Sequence, residues 1–201
     1  MCRPPVTDAL RRRAGLVLVA TLLGAAAPAD SPVAVPEPAG YWDGALQGYT
    51  PKTLAGATVI DTEALEALIG AGNTLLIDVS ESDPTPRNLA PGRLWRPIHR
   101  AIPDSIWLPG AGSGTLSAQD AAALAERIET LTQGDRTRPV VTYCHPDCWG
   151  SWNLGKRLVT LGYRSVHWFP AGIEGWQERH ETGAIRPDAA WTRALKTGGG
   201  P

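Results

Sequence analysis

Short apolar runs and helix-spaced stripes alternate along the chain from residue 57 onward. Thr58-Val59-Ile60 reads as a short strand. Asp61 or Thr62 then caps a helix with Glu63 and Glu66 near its start and Leu65, Leu68 and Ile69 as its apolar face. Gly70 and Gly72 end it. Thr74 to Val79 is a continuous apolar strand, the kind that belongs in a sheet buried on both faces. Residues 81 to 103 carry five Pro and several Arg and predict a long irregular excursion. Ser105 to Leu108 is a second short strand, closed by Pro109-Gly110. Ser117 is the expected N-cap of a helix through Leu131, with Leu124, Ile128 and Leu131 on one stripe. Pro139 to Tyr143 is a buried strand that runs straight into Cys144. Gly150 or Ser151 opens the next helix, which Gly162 stops. Val166 to Phe169 is the last strand, and Pro170-Ala171-Gly172 turns into a short segment ending near Trp176. Strands alternating with helices predict one α/β domain, a central parallel sheet with helices on both faces, over residues 57–180. In such sheets sites form at the carboxyl ends of strands, and Cys144 stands at one.

The flanks read differently. Residues 30–56 are rich in Pro, Gly and Ala, with Tyr41, Trp42 and Tyr49 interspersed, and predict an extended lead-in that packs aromatics onto the domain. The tail from 181, and above all Ile185 to Pro201 with its closing glycines, is expected to be weakly ordered. Arg11, Arg12 and Arg13 precede an apolar run, Ala14 to Ala27, and Ala27-Pro28-Ala29 is a small-x-small site. This pattern predicts a signal peptide over residues 1–29 and a periplasmic location. The run is short for a membrane span, which needs about 20 residues, so an uncleaved anchor is the lesser reading. No membrane contact is expected after cleavage.

Composition narrows the field. The 201 residues are 43% hydrophobic with a formal net charge of -1, enough for one core. No basic patch favours nucleic acid. Cleavage after Ala29 leaves 15 basic and 19 acidic residues, and removes Cys2. Two cysteines then remain, Cys144 and Cys148, in an oxidising compartment, where they pair, react or hold a metal. A thiol where a strand turns into a helix sits among inward-pointing backbone N–H groups at the positive end of the helix dipole. Both favour the thiolate, which is the nucleophile. The loop residues His145, Pro146, Asp147, Trp149 and Gly150 are the candidate cradle for an anion. The bland alternative is a structural disulfide, but so short a ring removes little chain entropy.

V-V-T-Y-C, the loop, the helix W-N-L-G-K-R-L and then V-H-W-F-P-A-G-I-E-G-W resemble the second half of a rhodanese domain. L-L-I-D-V-S and I-P-D-S-I-W-L-P-G resemble its first-half strands. More narrowly, C-x-x-x-C-W resembles the CXXCW-motif proteins associated with pyrroloquinoline quinone-dependent alcohol catabolism. The family resemblance implies sulfur transfer: Cys144 takes a sulfane sulfur from a donor and forms a persulfide. Cys148 then attacks a Cys144 persulfide or mixed disulfide. The partners implied are a small sulfane-sulfur donor or a protein thiol, and by the narrower resemblance a periplasmic quinoprotein dehydrogenase or cytochrome c. No cofactor is expected. Asp147 repels an anionic donor and Pro146 supplies no N–H, which argues against thiosulfate.

The remaining candidates are weaker. Asp78 is expected to bond loop backbone, and Trp149 and Trp152 to divide between core and a cover over the sulfur. His145 is a base, a ligand or a plain loop residue. Arg93, Arg96, His99 and Arg100 read as solvated charges, and Lys156 and Arg157 as surface charge. A rival class is a Cu(I)-binding protein using Cys144, Cys148 and His145; another is a docking module with a permanent disulfide.

Overall fold

The computed structural model describes residues 1, 33–82, 87, 88, 90, 92, 93 and 98–198. The predicted signal peptide, apart from Met1, and Arg96 lie outside them. The elements run β1 (Thr58–Val59), α1 (Thr62–Gly70), β2 (Leu75–Asp78), β3 (His99–Ala101), β4 (Ile106–Trp107) and α2 (Ala118–Thr132). Then come β5 (Val140–Tyr143), α3 (Trp149–Thr160), β6 (Val166–Trp168), α4 (Gly172–Gln177), β7 (Gly183–Ile185) and α5 (Ala189–Gly198).

The central sheet has the order β1-β6-β5-β2-β4, with every neighbouring pair parallel. Strand β5 therefore sits in the middle, with β6 on one side and β2 on the other. Its residues are all buried, as are those of β2, which is why neither run alternates in polarity. Leu75, Ile77 and Val140 face α2 and α3 through Leu124, Ile128, Leu154 and Leu158. Leu76, Val141 and Tyr143 face the other way, toward Leu65 of α1 and Ile173 and Trp176 of α4. Each such large side chain contributes about 1.5–3 kcal/mol by leaving water. Asp61 caps α1 by accepting from the Ala64 amide (2.9 Å). Ser117 does the same for α2 toward Asp120 (3.0 Å). Among the described residues no helix is long and apolar enough to cross a membrane.

Three features differ from the sequence-based expectation. The Pro-rich excursion ends in a strand: β3 pairs antiparallel with β7, Arg100 opposite Ala184. The tail carries β7 and helix α5. Asp188 caps α5 by accepting from the amides of Ala190 (3.1 Å) and Trp191 (2.8 Å), and Arg127 grips the same carboxylate from α2. Trp191 is wholly buried and donates its indole N–H to the Pro109 carbonyl (2.8 Å). Burial of that one side chain outweighs the glycines that follow it. Finally, Lys156 and Arg157 are not loose surface charges. The lead-in covers their side of α3, so the Lys156 ammonium bonds the Pro38 carbonyl (2.6 Å) and Arg157 stacks over Tyr41 (4.1 Å).

Candidate functional site

Strand β5 delivers Cys144 at its carboxyl end, and α3 begins at Trp149 with Cys148 as its N-cap. Between them His145, Pro146 and Asp147 form the loop, closed by Asp147 in the left-handed region at φ 51°. The turn brings the Cys144 and Cys148 Cα atoms to 6.4 Å, and the two sulfurs are joined as a disulfide. The two cysteines are not equivalent in their surroundings. Cys144 is 0% exposed, within the cluster that includes Val79, Ala111 and Leu154, whereas Cys148 is only half-buried.

Two glycines allow this arrangement. Gly172, at φ 59°, lies so close to the loop that a Cβ there would meet the Cys144 carbonyl oxygen and, at 2.7 Å, the His145 carbonyl carbon. The next residue, Ile173, donates its amide to that same Cys144 oxygen (2.8 Å). Across the site, Gly112 packs against Gly150 of α3, with room for no side chain.

The lead-in forms a strap over the loop. Gln47 pairs with Cys148 as an antiparallel bridge. The Trp149 amide donates to the Leu46 carbonyl (2.7 Å), and the Gly48 amide to the Asp147 carbonyl (2.8 Å). The Gln47 side-chain amide reaches the Pro146 carbonyl (3.1 Å). Trp42 stacks on Trp149 at 4.4 Å, and the buried Asn153 side chain both accepts from the Trp42 amide and donates to its carbonyl. The loop thus differs from an open anion cradle: Pro146 has no N–H, and that of Trp149 is already spent on the strap. Both Trp149 and Trp152 are buried. The strap contacts connect residues about a hundred positions apart, which no local pattern announces.

Beside the loop stand two carboxylate–imidazole pairs. Asp78, wholly buried, accepts from the Ser80 amide with one oxygen (2.8 Å) and holds His99 Nε2 with the other (2.8 Å). His145 Nδ1 pairs with Glu174 Oε1 of α4 (2.7 Å). The two imidazoles lie edge to face, 6.3 Å apart. Beneath them Tyr143 donates its hydroxyl proton to Ser105 Oγ (2.7 Å) and accepts from the Ile102 amide (3.1 Å). Burial, reinforced by the Asp78 charge, pushes that phenol far up, so it stays neutral. His99 and Glu174 are the site residues the sequence reading passed over. His99 looked like one of several solvated charges, and Arg100 beside it instead bonds Thr182 (2.7 Å). Among the described residues no group of three or more His, Cys, Asp or Glu side chains could hold a metal ion.

A model described as the rhodanese-like domain matches residues 61–179. No curated protein matches the chain. Among solved structures, a human single-domain sulfurtransferase is 17% identical, with 62% of this chain and 99% of that one covered at a TM-score of 0.39. An uncharacterized protein from Saccharomyces cerevisiae is 22% identical, with 61% and 92% covered at 0.39. A polysulfide-sulfur transferase homodimer from Wolinella succinogenes is 16% identical, with 62% and 75% covered at 0.35.

Proposed function

The chain belongs to the rhodanese-like domain family, and within it we propose that the Cys144–Cys148 pair is a reversible couple for sulfur transfer or thiol–disulfide exchange. The observation that carries this reading is the pair itself, two cysteines joined across the strand-to-helix loop where the fold places its chemistry. In the reduced protein one thiolate takes a sulfane sulfur from a donor and releases the donor as its thiolate. The second cysteine then attacks the inner sulfur of the persulfide and expels hydrosulfide, which closes the disulfide. Two equivalents of a thiol reset the pair. Asp147 at the loop favours a neutral or thiol-bound donor over thiosulfate. The CXXCW motif and the N-terminal Arg-plus-apolar segment support a finer placement: an exported, periplasmic accessory to quinoprotein alcohol oxidation.

The experiment is a redox titration of the folded protein in glutathione and dithiothreitol buffers. A working pair has a potential above about -300 mV. A potential below that value returns the bridge to a structural role in a docking module, a reading favoured by one observation, the complete burial of Cys144.

A further inference from the structure

Granting that the pair is a working couple, we infer that Cys148 is the sulfur that meets the external partner and that Cys144 is the internal, resolving thiol. This reverses the order implied by the loop's resemblance to its family. A thiolate that opens a disulfide must reach one of its two sulfurs in line with the bond, so a sulfur sealed in a core cannot be struck. Cys144 is sealed: its strand is flanked on both sides, its carbonyl is held by Ile173, and its side chain has no exposed surface. Cys148 is half-buried and stands at the N-cap of a 12-residue helix. That helix end has no side-chain cap and no acidic residue in its first turn. Its positive pole is therefore left to favour negative charge on the adjacent sulfur. The strap fixes the position further, because it pairs with the Cys148 backbone.

In the oxidised protein a partner thiolate attacks Cys148 Sγ and forms a mixed disulfide. The Cys144 sulfur leaves with the electron pair and takes up the proton that the partner thiol released on becoming the thiolate. A second partner thiolate attacks the partner's sulfur, frees the Cys148 thiolate and departs as a disulfide. In the reduced protein the Cys148 thiolate takes the outer sulfur of a small persulfide, releasing that donor as a thiolate. Cys144 then passes its proton to the outer sulfur, attacks Cys148 Sγ as the thiolate and expels that outer sulfur as hydrosulfide.

The test uses the full chain, reduced, as wild type and as Cys144→Ser and Cys148→Ser, with glutathione persulfide and iodoacetamide as probes. Cys144→Ser is expected to gain a +32 Da adduct on Cys148, and its Cys148 to alkylate about tenfold or more faster than Cys144 does in Cys148→Ser, because an accessible thiol reacts where a buried one does not. In reduced wild type, substoichiometric iodoacetamide is expected to label Cys148 before Cys144, read at each site by fragmentation mass spectrometry, which also separates Cys2; this holds even if a variant folds poorly. Preferential labelling or persulfidation of Cys144 overturns the assignment while leaving the couple intact. A folded wild type whose bridge resists dithiothreitol overturns the assignment and the couple together.

Discussion

Gly172 shows how narrowly single residues determine the sulfur site. Its backbone lies against Cys144 and His145 at a φ of 59°, which L side chains rarely adopt. Gly172→Ala therefore meets both a strained backbone and a collision with the loop. It is expected to cost more than about 1 kcal/mol and to change the rate at which dithiothreitol opens the bridge. Thermal melts and reduction kinetics measure the two effects. His167, in the middle of β6, has its Nδ1 buried with no partner among the described residues. Burial lowers its pKa below the ordinary 6.5. The unfolded chain then binds this proton more readily, so the group's full stability is present above 6.5 and is lost as pH falls from there toward the folded value. Melting temperature is expected to decline over that window, and His167→Gln to flatten the decline.

At the scale of elements, the strands and caps were legible because their signals are local. The unbroken apolar runs of β2 and β5 mark a sheet buried on both faces, and Asp61 and Ser117 mark helix starts. The elements that escaped depend on partners far along the chain. Strand β3 exists because β7 pairs with it, and the strap because the loop receives it. Helix α5 had a readable start in Pro187-Asp188, with Trp191 and Leu195 one turn apart, but the glycines beyond it dominated the reading. Its anchorage is testable. Trp191→Ala removes a wholly buried indole and its bond to Pro109, and is expected to cost about 3–5 kcal/mol in a guanidinium titration. A loss under about 1 kcal/mol would mean that the tail detaches on its own.

For the whole molecule, the fold was legible and the geometry of the cysteine pair only in part. The pair Cys144–Cys148 was visible from spacing and count, but their unequal burial depends on how α4 and the lead-in close around the loop. Opening the bridge releases a ring with a sequence separation of 4. In the chain-entropy account this lowers global stability by roughly 2 kcal/mol, and the melting temperature by roughly 4–8 °C for a domain of this size. Circular dichroism with and without reductant checks it; unchanged melting after confirmed reduction would show that the closed ring does not constrain the unfolded chain.

Because the segment around Leu46 to Gly48 is hydrogen-bonded to the backbone of the loop between Cys144 and Cys148, the disulfide's immediate surroundings depend on a stretch of chain about a hundred residues away. An affinity tag or fluorescent protein inserted there would crowd the loop that carries the Cys144–Cys148 disulfide.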